Sequence, residues 1–307
     1  MLDKLDFLLA LAQERHFGRA AEACGVTQPT LSAGVKQLED ALGVRLVERG
    51  SRFHGFTPEG ERALEWARRI VGDARAMRQD IDALKRGVVG HLRIAVIPTA
   101  LPMVSQLTTP YRAQHPDVRF TIVSSTSGEI GDALDNLEVD AGITYLDNEP
   151  LGRVSVTPIW REGYRLITSA DGALGDRDVV TWRDVGRLPL CLLTPNMQNR
   201  RIVDTLLKDA GVAAAPTLES NDTVVLLSHV RTGAWSSVLP QSFGETMGLP
   251  PNIRSIPIVE PEVVHTVGLV APHRDPQTPA TTALVTIAKG LAARLGAVTP
   301  GAIAASI

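Results

Sequence analysis

The chain has 307 residues, of which 44% are hydrophobic and 4% aromatic, and its formal net charge at pH 7 is −3. This length is enough for about two or three packed domains, and the charge gives no general sign of a nucleic-acid binder. Two cysteines far apart, Cys24 and Cys191, exclude a disulfide scaffold and a cysteine-based metal site. We expect both to be small buried side chains, because a peroxide-type thiol switch would need a nearby partner.

The sequence carries no signal for secretion or membrane insertion. Asp3, Lys4 and Asp6 interrupt the apolar N-terminal residues, and no cleavage-like site follows. No apolar run approaches about 18 residues, the length that predicts a transmembrane helix. We therefore expect a cytoplasmic protein without a membrane partner.

Residues 2–43 predict three helices. The first, residues 2–15, places leucines on one face, and a second short helix of small residues ends at Gly25, a natural C-terminal stop. Thr27 is a good N-cap for the third helix, and Pro29 is tolerated in its first turn. Its apolar face consists of Leu31, Val35, Leu38 and Leu42. Two helices joined by a tight turn, the second with a polar N-terminal face, are typical of a helix-turn-helix.

Gly43 ends the third helix, and residues 44–56 predict a two-stranded wing with basic residues near its tip. We therefore predict a winged helix-turn-helix DNA-binding domain in residues 1–58. The alternative is a small helical packing unit in which Thr27–Thr30 is only a helix start. The predicted DNA-contacting residues are Thr27, Gln28, Pro29, Thr30, Ser32, Lys36, Arg49, Arg52 and His54.

A long helix follows, which we assign as a linker in residues 59–88. Thr57, Pro58 and Glu59 form a strong helix start. The apolar positions repeat with alternating spacings of four and three, which predicts a helix-pairing seam. These positions are Ala63, Ala67, Ile70, Ala74, Met77, Ile81, Leu84 and Val88. The alternative is an amphipathic helix that packs on its own domain.

Residues 89–307 alternate between strand and helix patterns and predict a parallel sheet with helices on both faces. The predicted strands are 91–97, 118–123, 139–143, 158–160, 164–168, 188–193, 217–219, 235–239, 253–258 and 265–270. The predicted helices include 199–209, 223–232 and 279–295. The pattern divides into two such units, without an evident internal sequence repeat.

Three motifs near the N-terminus resemble those of the LysR-type transcriptional regulators. They are Ala20–Ser32, which contains Thr27-Gln28-Pro29, then Leu38–Arg49, and Thr57–Gly60. The departures from the family pattern are Cys24 for Leu, Val47 for Phe, and Ala33 where Arg is common. Further along, Asp140–Ile143 and Gly233–Pro240 also match the family pattern.

The resemblance implies an effector domain of two Rossmann-like subdomains, similar to a type 2 periplasmic binding protein. Subdomain I would cover about 91–158 and 268–307, and subdomain II about 159–267, with crossovers near 144–158 and 263–270. The implied partners are double-stranded promoter DNA, a small-molecule effector and further copies of the chain in a homodimer or homotetramer. RNA polymerase is a further candidate partner, and no cofactor is expected.

Polar residues at the predicted carboxyl ends of strands and starts of helices indicate an effector site. Ligands bind at these points in open α/β sheets, and free helix N–H groups favour a small anion. The candidate residues are Thr99, Thr126, Ser127, Gln198, Asn199 and Thr223. By the resemblance, Thr99, Ser127 and the Gln198–Asn199 region match effector contacts. Each cluster alone would be an ordinary N-cap. Arg200 and Arg201 could pair with a carboxylate, but we interpret them as surface ion pairs.

Two other classes of protein are alternatives to a regulator. An enzyme is not favoured, because no G-x-S-x-G, H-E-x-x-H or P-loop motif occurs and the histidines share no metal-ligand spacing. We therefore predict neither catalytic nor metal-binding residues. A solute-binding protein would explain two lobes but not the N-terminal motifs. The run Thr194–Arg200 is similar to regulators found beside formate and one-carbon genes.

Overall fold

The computed structural model describes residues 1–48, 53–213 and 215–296. It contains two compact units. The first consists of Met1–Gly87 with the short segments Asp135–Glu138 and Arg274–Pro279, and the second contains the remainder of the chain. No described helix has the length and hydropathy needed to cross a membrane.

The first unit is built on four helices: α1 (Leu2–Glu14), α2 (Phe17–Ala23), α3 (Gln28–Leu42) and α4 (Pro58–Arg86). Apolar faces of all four meet in one core, which includes Leu8, Leu11, Leu31, Leu38 and Leu64. The prediction for the apolar face of α3 was wrong at its last position. Leu42 is 49% exposed, because the helix ends there at Gly43 and the following segment packs elsewhere.

The wing is attached to α3 and α4 by contacts that explain two of the sequence motifs. Glu39 accepts hydrogen bonds from the backbone N–H groups of Leu46 and Val47, at 2.8 and 3.2 Å. Val47 pairs with Phe56 in an antiparallel bridge. Gly60 begins α4 so close to this segment that a Cβ atom would lie 2.0 Å from the carbonyl oxygen of Leu46. Glutamate and glycine are therefore required at these positions by packing.

Helix α4 has a buried and an exposed apolar surface. Leu64, Ala67 and Val71 pack into the core of the first unit. Four of the predicted seam positions remain exposed by 42% to 84%, and these are Ile70, Met77, Ile81 and Leu84. Trp66 is also exposed, with the guanidinium of Arg69 over its ring at 5.2 Å.

The second unit contains ten strands and seven α-helices among the described residues. The strands are β1 (Gly90–Val96), β2 (Val118–Ser124), β3 (Ala141–Tyr145), β4 (Val154–Ser169), β5 (Val180–Thr181), β6 (Cys191–Leu193), β7 (Leu218–Ser220), β8 (Ser237–Pro240), β9 (Ile253–Val259) and β10 (Val264–Pro272). The helices are a 3-10 helix (Pro98–Val104), α5 (Ser105–Gln114), α6 (Ser127–Asp135), α7 (Trp182–Val185), α8 (Gln198–Asp209), α9 (Thr223–Val230), α10 (Gln241–Met247) and α11 (Pro279–Leu295).

The main sheet is mixed, which corrects the prediction of a parallel sheet. Its order is β2-β1-β3-β10-β4-β9-β5, with β8 also paired to β4, and a separate small sheet joins β6 and β7. Parallel pairs lie at both ends, whereas every pair that includes β4 or β10 is antiparallel. These two strands connect the half that contains β1–β3 with the half that contains β6–β9.

Strand β4 was predicted as two strands, 158–160 and 164–168, and this division was wrong. It runs for 16 residues, because Arg161, Glu162 and Gly163 continue the ladder with β10 instead of forming a turn. The register shifts between Val267 and Gly268 of β10, because Ile159 of β4 is the extra residue of a bulge. A Cβ atom on Gly268 would come within 2.6 Å of the carbonyl oxygen of Thr157, so the close approach at the bulge requires glycine.

Candidate functional sites

The N-terminal end of α3 presents the residues predicted to contact DNA. Thr27, Gln28, Pro29 and Thr30 are exposed, Ser32 is half-buried, and Lys36 is exposed further along the helix. The Thr27 hydroxyl caps the helix by accepting a hydrogen bond from the Thr30 N–H at 3.4 Å, and the two hydroxyls lie 2.8 Å apart. The cap and the polar face are thus built from the same residues.

The wing supplies the remaining predicted DNA contacts. His54 is exposed beside the Glu48–Gly55 backbone hydrogen bond of 3.0 Å. The predicted contacts Arg49 and Arg52 lie outside the described residues.

The N-cap of α2 could not be recognised from the sequence pattern. It is His16, whose ring accepts hydrogen bonds from the N–H groups of Gly18 and Arg19.

The second candidate site lies between the two halves of the second unit, where the starts of α6 and α8 come together. Thr126 forms a capping box with Glu129, because each side chain accepts a hydrogen bond from the other residue's N–H, at 3.1 and 2.8 Å. Thr126 is therefore used largely as a helix cap. Ser127, the next residue, is half-buried and its hydroxyl donates to Glu149 at 2.9 Å.

Thr99 is placed differently from the predicted N-cap. It is 1% exposed in the 3-10 helix, and its Oγ1 has no hydrogen-bond partner among the described residues. The Thr99 hydroxyl lies near the Tyr145 hydroxyl and counteracts a small part of the rise in the pKa of Tyr145. The two hydroxyls are not aligned well enough to form a hydrogen bond. Asn199 of α8 donates to the same Tyr145 hydroxyl at 3.4 Å, so this phenol lies between the two halves.

Tyr145 belongs to a buried cluster around Glu162, which the sequence analysis missed. The Glu162 carboxylate is 3% exposed and accepts hydrogen bonds from Tyr145, Trp160 and Ser242, each at 2.8 Å. Burial raises the pKa of Glu162, and its three hydrogen bonds offset only part of that rise. Burial, followed by the charge of Glu162, raises the pKa of Tyr145 well above its usual range.

A second polar cluster lies on β10 and on the segment that follows β3. His265 is 7% exposed, and its Nδ1 lies 2.8 Å from the Asn148 amide nitrogen and 3.4 Å from an oxygen of Asp147. Burial raises the pKa of Asp147, but hydrogen bonds from His265 and from the Thr266 N–H outweigh it and lower the pKa overall. Gln198 donates to the carbonyl oxygen of Asp147 at 3.0 Å, while its Oε1 has no partner among the described residues.

The two arginines of α8 have different environments. Arg200 is 6% exposed and donates to Asp204, to Glu219 and to the carbonyl oxygen of Leu193, so it is a buried structural residue rather than the predicted surface ion pair. Arg201 is half-exposed and donates through Nε and Nη2 to Glu149 Oε1, at 2.8 and 2.5 Å.

The structure therefore brings most of the predicted effector residues together. Thr99 and Asn199 meet at Tyr145, Ser127 contacts Arg201, and Gln198 contacts the segment after β3. Thr223 is buried at the start of α9, and among the described residues it has no side-chain hydrogen bond to the other five.

Family comparisons identify both parts of the chain. A family model described as "LysR substrate binding domain" matches residues 85–293, and one described as "Bacterial regulatory helix-turn-helix protein, lysR family" matches residues 2–61. The chain belongs to the LysR family of transcriptional regulators. It is a DNA-binding transcriptional regulator with an effector-binding domain, and the family is one of regulators rather than enzymes.

Individual relatives agree with this assignment. The DNA-binding transcriptional dual regulator OxyR of Escherichia coli (strain K12) is 28% identical over 272 residues, 87% of each chain. A probable hydrogen peroxide-inducible genes activator of Streptomyces viridosporus is 32% identical over 249 residues, 78% of each chain.

Solved structures confirm the predicted fold class of a LysR-type protein. A full-length OxyR variant from Pseudomonas aeruginosa is 28% identical, with a TM-score of 0.72 over 95% of this chain and 94% of that chain. Full-length CbnR complexed with its target DNA is 22% identical and has the same fold, with a TM-score of 0.60 over 95% of this chain and 99% of that chain.

The two thiols of this LysR-family chain are poorly suited to react. Cys191 is fully buried, donates to the carbonyl oxygen of Leu226, and burial raises its pKa to about 11. Burial, followed by the charge of Asp6, also raises the pKa of Cys24. Because the thiolate is the reactive species, both cysteines are in environments that suppress reaction.

Proposed function

We propose that this regulator responds to a small effector, of anionic character, that binds between the two halves of its effector domain. Thr99, Ser127, Gln198 and Asn199 hold the effector, and Thr126 and Thr223 complete the proposed set at the starts of their helices. Effector binding then changes how the protein acts on promoter DNA.

The observation that supports this proposal most is the Thr99 hydroxyl. A buried hydroxyl without a partner costs stability, so native structures pair the great majority of such groups. Thr99 Oγ1 is buried and unpartnered beside Tyr145, at the place where Asn199 reaches across from the other half. An effector oxygen in the crevice would satisfy this donor. The unpartnered Oε1 of Gln198 provides an acceptor in the same helix turn as Asn199.

A Thr99→Val substitution tests the proposal. Small acids, including formate, and their neutral amides are first ranked by the thermal shift that they produce in the full-length protein. Valine keeps the shape of threonine but removes the donor, so the affinity for the ligands found should fall by roughly ten- to hundred-fold. DNA affinity without ligand should remain unchanged, because α3 lies in another domain.

Thr144→Val is the matched control. Thr144 is also 1% exposed with an unpartnered Oγ1, but it is adjacent to Tyr145 on β3 and its side chain therefore points to the opposite face of the sheet. Both substitutions remove a buried hydroxyl, and only Thr99→Val should weaken ligand binding. Equal ligand affinities for the two variants would contradict the assignment of Thr99.

Three finer features belong to the same proposal. The exposed seam of α4 supports a homodimer or homotetramer, RNA polymerase is a candidate partner at the promoter, and the run Thr194–Arg200 suggests genes of formate or one-carbon metabolism. The name of the Streptomyces viridosporus relative refers to hydrogen peroxide. A thiol-based peroxide response is not part of the proposal, since the pKa values of Cys24 and Cys191 are raised.

A further inference from the structure

A closed group of three side chains joins the two halves of the effector domain at the start of α6. Ser127 lies on α6, Arg201 on α8, and Glu149 on the segment between β3 and β4. Ser127 donates to Glu149 Oε2 at 2.9 Å, and Arg201 donates to Glu149 Oε1 and to the Ser127 hydroxyl, the latter at 3.2 Å. Each member contacts the other two, and we refer to Ser127, Glu149 and Arg201 as the carboxylate triad.

Arg201 is held in position by more than its acidic partner. Its Nη1 donates to the carbonyl oxygens of Asn196 and Pro195, at 2.7 and 3.4 Å. The loop before α8 therefore directs the Nε–Nη2 edge of the guanidinium towards α6. A guanidinium fixed in this way offers two parallel donors, the arrangement that recognises a carboxylate.

Glu149 is the member of the carboxylate triad that lies outside the helices and strands. It lies on a connecting segment outside the sheet, and its side chain is 30% exposed. Its carboxylate is therefore able to move into solvent without breaking secondary structure. Ser127, at the start of a nine-residue helix, and Arg201, on α8, would remain in place.

Unpartnered polar atoms occur on the helix that carries Arg201 and next to Tyr145, which that helix contacts. Gln198, one turn before Arg201 on α8, is 3% exposed and its Oε1 is unpartnered among the described residues. Thr99 Oγ1 is unpartnered as well, near the Tyr145 hydroxyl that Asn199 contacts. A molecule with a carboxylate at the triad and further polar atoms could supply the missing hydrogen-bond partners of Gln198 Oε1 and Thr99 Oγ1.

We infer that Glu149 is an internal competitor that occupies the carboxylate subsite of the effector crevice, and that a carboxylate-bearing effector replaces it on Ser127 and Arg201. This inference rests on the proposed crevice function and specifies its ligand class. The exchange conserves charge at Arg201, because one carboxylate leaves as another enters. It also transfers the link between the halves from the protein's own side chain to the ligand.

The test compares the wild type with Glu149→Gln and with Glu219→Gln as a matched control. Glu219 pairs at 2.5 Å with Arg200, the neighbour of Arg201 on α8, and its side chain is 41% exposed, but this pair does not reach α6. Full-length proteins are titrated with formate, acetate and succinate, with sulfate as a second anion, at an ionic strength kept constant with sodium chloride. Affinity is measured by calorimetry.

Glu149→Gln should bind at least one of the three carboxylates about fivefold more tightly than the wild type, because the competing carboxylate is removed and Arg201 keeps its charge. Glu219→Gln should bind it as the wild type does, and sulfate should not show the same gain. Arg201→Gln should weaken carboxylate binding. Without ligand, Glu149→Gln should also speed amide hydrogen exchange at the starts of α6 and α8. This measurement tests whether Glu149 holds Ser127 of α6 and Arg201 of α8 together.

The outcomes separate this inference from the proposed function. Carboxylate binding that depends on Thr99 but is equal in the wild type, Glu149→Gln and Glu219→Gln would overturn the competitor and leave the crevice function intact. Failure of Glu149→Gln to bind any of the three carboxylates would overturn the ligand class. If Glu149→Gln binds a carboxylate more tightly than the wild type but Thr99→Val leaves that affinity unchanged, the competitor role of Glu149 is supported and the assignment of Thr99 is overturned.

Discussion

Single buried polar residues in the effector domain are of two kinds. Glu162 has three hydrogen-bond donors around its carboxylate, whereas Thr99 Oγ1 and Gln198 Oε1 have no partner among the described residues. Because an unpaired buried polar atom is costly, the first kind is satisfied within the fold, and the second is where the proposed effector would bind. Thr99 and Gln198 could be predicted because they stand at helix starts, but Glu162 stands between two predicted strands.

The raised pKa of Glu162 makes a testable contribution to the pH dependence of stability. The folded state binds this proton more tightly than the unfolded state, whose pKa is near the ordinary value of 4.5. Its stabilising contribution is therefore complete below that value and is lost as the pH rises through the higher folded pKa. In Glu162→Gln, whose amide oxygen can still accept from Trp160 and Ser242, this loss should be absent. Urea unfolding should thus show the variant gaining stability relative to the wild type as the pH rises above 4.5.

Asp184→Asn provides a control of opposite sign. Thr181 donates to the Asp184 carboxylate through its hydroxyl and its N–H, and these hydrogen bonds lower the pKa of Asp184. Its contribution is present above the unfolded pKa and is lost as the pH falls through the folded pKa. The deficit of Asp184→Asn should therefore shrink towards acid pH. A Glu162→Gln difference that does not change with pH would contradict the assigned pKa shift.

At the scale of elements, α3 and α4 each combine a buried apolar face with an exposed face that has a separate role. The buried face of α3 packs in the core of the first unit, and its exposed start carries the proposed DNA contacts. The family motif residues Glu39 and Gly60 hold the wing against α3 and α4. These two residues could be recognised from the sequence by resemblance, but their packing role required the structure.

Lys36 on the exposed face of α3 should contribute one phosphate contact. Lys36→Ala should weaken binding to all DNA sequences alike and reduce the slope of log affinity against log salt by about 0.9. Arg49→Ala and Arg52→Ala carry the same expectation. Lys85→Ala removes the same charge from the exposed end of α4 and should leave the slope unchanged. Equal slopes for wild type and Lys36→Ala would remove Lys36 from the DNA interface.

Across the whole molecule, features encoded locally in the sequence were predicted better than strand pairing between distant segments. Helix α11 was predicted at its observed bounds, since its ends and apolar period are encoded locally. The return of β10 to the first half was predicted as a crossover near 263–270, but its antiparallel pairing with β3 and β4 was not. The short helices α7 and α10 were also missed, since four and seven residues are too few to establish a helical period.

Assembly of the whole molecule is tested by Ile81→Glu. Ile81 lies in the exposed seam of α4 at 46% exposure in the single chain, and a pairing helix would bury it. An unpaired charge buried at such a contact costs about 3–5 kcal/mol. Sedimentation of the full-length variant should therefore show a smaller species than the wild type. Gln79→Glu places the same charge on an exposed position outside the seam and should not dissociate the assembly. Equal sedimentation of the two variants would mean that the seam packs elsewhere.

The uninterrupted strand β4 determines what kind of motion can carry a signal through the effector domain. It is hydrogen-bonded to β10 from the Gly163–Val264 pair to the Val154–Pro272 pair, and this ribbon belongs to both halves. A paired ribbon resists stretching, since its ladder would break, but the twist of two-stranded ribbons varies widely. The halves should therefore rotate about the ribbon near the Gly268 bulge while staying at a fixed separation. In the proposed function, a ligand between the halves need only favour one twist of the ribbon over another.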